Sequence, residues 1–333
     1  MKTILKILLG SGLTLLLMGM LIFVAFQVSP KPGAMLINKM FDGPVKMTDA
    51  KRFAVADERV DVQLDQTYQS SAKANQYDLY QPKEAQGKLP VLIWVHGGGY
   101  VGGDKSGMKE FATNLAADAH VAVVAMNYQL APSAHYPSQL KQVAELVRTL
   151  QSQPNQLDLN RIYIGGDSAG AQIAVQYAAV QTNQTYADEM NIQQQVTPSA
   201  LKGVISYCGP VNLKQTAEQQ SESRFMRFFV KTVAWSLLGK KEWKSDARLA
   251  QASMVEHVTN TFPATYVTDG NAFSFPEQGH AFVDKLQQLN VPVHSLFFDD
   301  ESKQIPHEYQ FDYATIEAQK CYEQTIQFIQ QQK

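Results

Sequence analysis

The 333-residue chain carries 29 Lys and Arg against 31 Asp and Glu, a formal net charge of −2, and 45% of its residues are hydrophobic. That apolar share suffices for a substantial folded core, while near-neutrality with mixed signs excludes the electrostatic footprint of a nucleic-acid binder. Two cysteines, Cys208 and Cys321, make no disulfide framework in a domain of this size, and both are expected to be free, buried thiols.

Lys2 and Lys6 precede a run from Ile7 to Ser29 that holds no charged side chain. About 23 residues at about 1.5 Å each reach about 34 Å, enough to cross a hydrocarbon core of about 30 Å. The expectation is a retained membrane anchor over residues 1–30, with a cleaved signal peptide as the alternative. The poor small-x-small pattern around Val24, Ala25, Phe26 and Gln27 argues against cleavage. Lys2, Lys6 and the terminal amine before the span, against Lys31 and Lys39 after it, bias the N-terminus slightly toward the cytoplasm. The rest of the chain is then expected outside the cytoplasm, membrane-anchored or, after cleavage, secreted. Pro30, Pro32 and Gly33 open a linker or lid-associated segment over residues 31–58.

From residue 59 to 333 strands and helices alternate. RVDVQLD (59–65) and QYDLYQP (76–82) have the period of two of half-exposed strands. LPVLIWV (89–95), VAVVAMN (121–127), RIYIG (161–165) and LKGVISY (201–207) are more continuously apolar, as strands buried on both faces are. ATYVT (264–268) and VHSLFF (293–298) complete the set. Helices are expected at about 105–119, 137–152, 169–181, 276–290 and 312–331. The pattern predicts one α/β domain with a mostly parallel eight-stranded sheet, helices on both faces and an antiparallel pair at the start. The Gln/Asn-rich stretch 181–195 reads as a polar surface excursion. Residues 212–259 interrupt the alternation with the apolar SRFMRFFVKTVAWSLLG, expected as a helical lid over the strand ends or as an extra helix on the sheet's flank. Its Phe225, Phe228, Phe229 and Trp235 either narrow a pocket or pack in the insertion's own core.

Ligands of open parallel sheets bind at the strands' carboxyl ends. There, Gly166-Asp167-Ser168-Ala169-Gly170 fits G-x-S-x-G, a sharp strand-to-helix turn that displays a serine hydroxyl to the N-terminal amides of the following helix. A second glycine cluster, WVHGGGY (94–100), follows another buried strand. Its free amides suit the negative oxygen of a tetrahedral intermediate, and losing one such donor costs about 10² to 10³ in rate. Gly98, Gly99 and Ala169 are the expected oxyanion donors. A phosphate or dinucleotide loop is disfavoured, since G-x-G-x-x-G spacing is absent and no G-K-[ST] follows.

These motifs, with NYQLAPSAHYP (127–137), LNRIYIGGDSAGA (159–171) and PHEYQF (306–311), resemble those of the α/β-hydrolase superfamily, specifically the hormone-sensitive-lipase-like esterases and their bacterial carboxylesterase relatives. The resemblance covers roughly residues 75–330, in the family's order. It implies the α/β-hydrolase fold and ester hydrolysis by a Ser, acid, His triad, usually on short acyl chains, without metal or organic cofactor. Superfamily order puts the base late in the chain, at His307; His280 and His294 fall within an expected helix and strand. Glu308 departs from the small residue usual after that histidine and is positioned to alter its pKa. The family's aspartate position holds Phe273, so Asp269, at the end of its strand, is the expected acid. Glu277, the cluster Asp299, Asp300 and Glu301, and a Ser-His dyad remain open. As a structural residue Asp269 would simply begin a D-G turn. Gln129 and Ser133 replace an arginine and a glutamate usual in the family, away from the chemistry.

The expected function is a membrane-anchored serine carboxylesterase acting on a small-molecule or surface-polymer ester. The alternatives are an acyltransferase or peptidase with the same triad, and a non-catalytic binding protein on the same fold.

Overall fold

In the computed structural model, which describes residues 2–43, 45–154, 156–219, 223–300 and 302–332, the chain begins with α1 (Lys2–Val28), α2 (Lys31–Phe41) and α3 (Ala50–Asp57). β1 (Val60–Thr67), β2 (Gln76–Pro82), β3 (Leu89–Val95), α4 (Lys109–Ala119), β4 (Ala122–Met126), α5 (Ser138–Ser152), β5 (Leu157–Asp167), α6 (Ala169–Thr182) and α7 (Gln184–Met190) follow. After β6 (Leu201–Tyr207) come α8 (Leu213–Glu218), α9 (Arg224–Leu238) and α10 (Arg248–Gln251), then β7 (Thr265–Thr268), α11 (Pro276–Gln288), β8 (Val293–Leu296) and α12 (Ile316–Gln331).

Among the described residues the strands form one eight-stranded sheet, in the order β1-β2-β4-β3-β5-β6-β7-β8. β1 pairs antiparallel with β2 and β2 with β4; from β4 to β8 every pairing is parallel. The expected α/β-hydrolase architecture is therefore present. β3 explains why its sequence lacks alternation: Val91, Ile93 and Val95 join the apolar cluster that includes α5 and α6, while Leu92 and Trp94 join the one that includes α4 and α12. A central strand between two helical layers has no polar face to show.

Three segments differ from the sequence reading. β5 starts at Leu157 rather than at 161, because Leu157 pairs with Leu89 across a register shift. The polar stretch after residue 181 contains a helix, α7, whose Asn183 side chain caps it by accepting from the Tyr186 amide and whose Tyr186, Ala187 and Met190 are buried. In the supposed linker, Pro32 lies in the first turn of α2, where its missing N–H costs nothing, and Gly33 lies flush against Thr232 and Phe228 of α9.

α1 contains a 21-residue stretch, Leu8–Val28, of mean hydropathy 2.3 with none of its window buried, long and apolar enough to cross a membrane. Cys208 and Cys321 are both free and buried.

Candidate active site

The ends of β3, β5, β6, β7 and β8 and the loops after them meet at one point. β5 ends at Asp167, and Ser168 turns the chain into α6 with φ +50° and ψ −121°. A non-glycine residue in that region costs on the order of 1–3 kcal/mol and persists only when its surroundings hold it. Here the Ser168 amide donates to the Tyr207 carbonyl at 2.8 Å, fastening the elbow to the end of β6. Close approach of α6 to β3 completes the turn: a Cβ on Gly170 would run into the Val95 carbonyl oxygen. Gly170→Ala is accordingly expected to destabilise the fold by about 1–3 kcal/mol. Thermal unfolding of the full chain in detergent checks this, and an unchanged Tm would contradict the packing.

The loop after β3 is built around Gly98, at φ +104°, whose carbonyl accepts from the amides of Val101 at 3.2 Å and Gly102 at 2.9 Å. Asp167 joins this loop to the elbow: its Oδ1 accepts from Trp94 Nε1 at 2.8 Å and its Oδ2 from the Gly97 amide at 2.7 Å. Among the described residues, the amides of Gly98, Gly99 and Ala169 have no protein acceptor. Gly99, Ser168 and Ala169 share an apolar cavity of about 80 Å³, closed by Phe229, Val230, Val233 and Leu237 of α9.

His307 stands on the loop after β8, its amide held by the Ala272 carbonyl at 3.1 Å. Its Nε2 lies 2.9 Å from Ser168 Oγ. Its Nδ1 lies 2.6 Å from Ser274 Oγ, and Ser274 in turn donates to Asp269 Oδ1. The other Asp269 oxygen accepts from the Phe275 amide at 3.1 Å. With the Ser274 proton given to Asp269, the only consistent assignment has His307 Nδ1–H donating to Ser274 and Nε2 free to accept from Ser168. Burial lowers the His307 pKa to about 4, so the imidazole is neutral at physiological pH. Burial raises Asp269 to about 7, against the opposing effect of its bonds from Ser274 and the Phe275 amide.

Asp269 thus reaches the histidine through a serine that the sequence reading did not single out. No local motif marks Ser274; its position depends on β7 and the His307 loop coming together. Phe273, at the family's acid position, is 78% exposed. Glu308 hydrogen-bonds Asp167, and burial together with that neighbouring carboxylate pushes its pKa up.

The other candidate acids have different surroundings. Glu277 lies in the first turn of α11 and lines a wide mouth cavity. Asp299 faces His280 at 3.4 Å, and Asp300 accepts from the Ser302 amide at 2.9 Å. Glu301 lies outside the described residues. His294 lies on β8 with its ring 6.1 Å from Phe328.

One atom each of Cys208, Asp269 and His307 fall within 4.8 Å of one another, spacing that suits a metal. Both His307 nitrogens are, however, engaged by serine hydroxyls, and burial pushes the Cys208 thiol up, away from the thiolate a metal requires.

The BD-FAE family matches residues 77–286 of this chain. An ethyl acetate hydrolase from Pseudomonas putida is 36% identical over 100 residues, covering 29% of this chain and 31% of the relative. An esterase from Gibberella moniliformis is 24% identical over 210 residues, covering 61% of this chain and 63% of the relative. The chain therefore spans less than two thirds of either. In three dimensions, Esterase B from Lactobacillus rhamnosis (HN001) superposes with a TM-score of 0.72 at 19% identity, over 91% of this chain and 96% of that one, a likeness of fold.

Proposed function

The chain belongs to the BD-FAE family, of the α/β-hydrolase fold, and on that premise we propose that it is a carboxylic ester hydrolase with Ser168 as its nucleophile. His307 Nε2 takes the Ser168 proton as Oγ attacks the ester carbonyl, then gives it to the departing alcohol; water repeats the sequence on the acyl-enzyme. The amides of Gly98, Gly99 and Ala169 receive the oxyanion. Asp269, through Ser274, keeps the imidazole in the right tautomer and offsets its charge once protonated. The observation that carries this reading is the 2.9 Å contact between Ser168 Oγ and His307 Nε2 at a strained elbow, beside amides that have no acceptor among the described residues. Labelling of the full chain by a fluorophosphonate, lost in Ser168→Ala, tests it.

The small cavity beside Ser168 favours short acyl groups. Acetyl and butyryl p-nitrophenyl esters are expected to give far higher kcat/KM than decanoyl ones. A rate that climbs with chain length would place the acyl group in the wider mouth instead.

Two groups set the acid side of the pH profile, and both lose their active forms as pH falls. Asp269 must be ionised and His307 neutral, so kcat/KM is expected to rise through about pH 7 to a plateau, following Asp269 raised by burial. In Asp269→Asn that limb disappears, and the reduced rate stays flat down to the His307 transition near pH 4. An unshifted limb in the variant would detach Asp269 from the reaction.

α1 acts as a membrane span in this reading, with the catalytic domain on the side opposite Lys2 and Lys6. Its support is the apolar length of Leu8–Val28 together with the placement of those lysines.

A further inference from the structure

The apolar span does not end in a free tether. Its last turn lies against the helical insertion: the Phe26 ring is 6.5 Å from Phe228 of α9, and Lys241 Nζ donates to the Gln27 carbonyl at 2.7 Å. α2 continues from it and is pinned from the inner side, with Ala34 and Ile37 buried and Asn38 Nδ2 donating to the Val101 carbonyl of the Gly98 loop at 2.9 Å. Its outer side carries Met35, Leu36 and Met40, between 53% and 65% exposed, which no described residue covers.

The charge around this apolar strip is one-sided. Residues 29–46 and 223–246 hold nine Lys and Arg against three acids, Asp42, Glu242 and Asp246, and Asp246 is paired with Arg248 at 2.8 Å. Between the insertion and the Ser274 loop a mouth of about 1170 Å³ opens, with Lys231 and Lys244 on one side and the exposed Phe273 on the other. An apolar strip bordered by exposed cations, continuous with a membrane-length helix, is the composition of an element lying in an anionic headgroup layer.

We propose that the outer side of α2 and the start of α9 rest in the surface of an anionic bilayer, so that the mouth opens onto lipid. The substrate class is then a short acyl ester carried on a bilayer-borne alcohol: the small acyl group enters the cavity beside Ser168 and the lipid part stays in the mouth. Water adds across the ester, releasing the short carboxylic acid and leaving the lipid alcohol in the membrane. The substrate half rests on the esterase reading above; the docking half does not.

The test reconstitutes the full chain into vesicles of phosphatidylcholine alone or mixed with phosphatidylglycerol. An environment-sensitive fluorophore on Met35→Cys, with Cys208 and Cys321 buried and unreactive, is expected to report an apolar setting. The same label on Glu84→Cys, in the turn before β3 at the far end of the sheet, is expected to report water. Acetate release from dioleoyl-acetyl-glycerol in the vesicles is expected to rise with phosphatidylglycerol and to fall at least about tenfold in Lys31→Glu/Lys39→Glu/Arg224→Glu. Turnover of soluble p-nitrophenyl acetate should change less than about twofold in that variant, which also shows that it folds. Identical label spectra at positions 35 and 84, or acetate release indifferent to both phosphatidylglycerol and charge reversal, overturns the proposal. Absence of serine-dependent turnover on either ester overturns the esterase reading instead, and the label alone then decides the docking.

Discussion

Ser168→Ala is expected to abolish nearly all ester hydrolysis, lowering kcat on the order of a millionfold while leaving the fold intact. The size follows from the unity of the machinery. On the proposed mechanism, without the hydroxyl His307 has nothing to deprotonate at 2.9 Å and no acyl-enzyme forms, so only binding and the loop amides would still act on the substrate. The fold should tolerate the change because the elbow is fastened through the Ser168 amide to Tyr207 and by the close contact at Gly170, neither of which uses the side chain. Measured with p-nitrophenyl acetate and the full chain in detergent, residual turnover within a hundredfold of the parent would remove Ser168 from the role of nucleophile. Loss of activity with an unchanged thermal transition would separate chemistry from folding.

What the sequence makes legible here is whatever is local. The Ser168 elbow and the Gly98 loop announce themselves because their glycines, hydroxyl and flanking apolar strands are contiguous, and β3 and β4 because burial on both faces leaves no polar residue in the run. What depends on distant partners is not legible. Pro30, Pro32 and Gly33 have linker composition, yet the surface of α9 receives Gly33 and makes a helix of the segment. Asn183 reads as one polar residue among many until the Tyr186 amide shows it to be a cap. Ser274 is the extreme case: a serine between two phenylalanines in a loop, without periodicity or motif, placed between His307 and Asp269 by the meeting of elements more than thirty residues apart. Asp269 is readable because it closes a strand; the way it reaches the histidine is not.

That indirect route makes the second large effect specific. Asp269→Asn is expected to lower kcat by about 10³ to 10⁴ with little change in KM, because the amide neither supplies the charge that offsets imidazolium nor fixes the tautomer through the serine. If the carboxylate acts through Ser274, then Ser274→Ala must cost a comparable factor, within about tenfold, since it leaves Nδ1–H and the buried carboxylate without their common partner. The double variant should be scarcely slower than either single one, as groups acting in series are strongly non-additive. The pH profile separates this from simple loss of packing: Ser274→Ala should weaken or move the limb near pH 7, while a cavity alone would lower the rate without shifting it. Independent, additive losses would mean that Asp269 and Ser274 support the loop separately. A Ser274→Ala variant at parental rate would leave His307 working with Ser168 as a dyad.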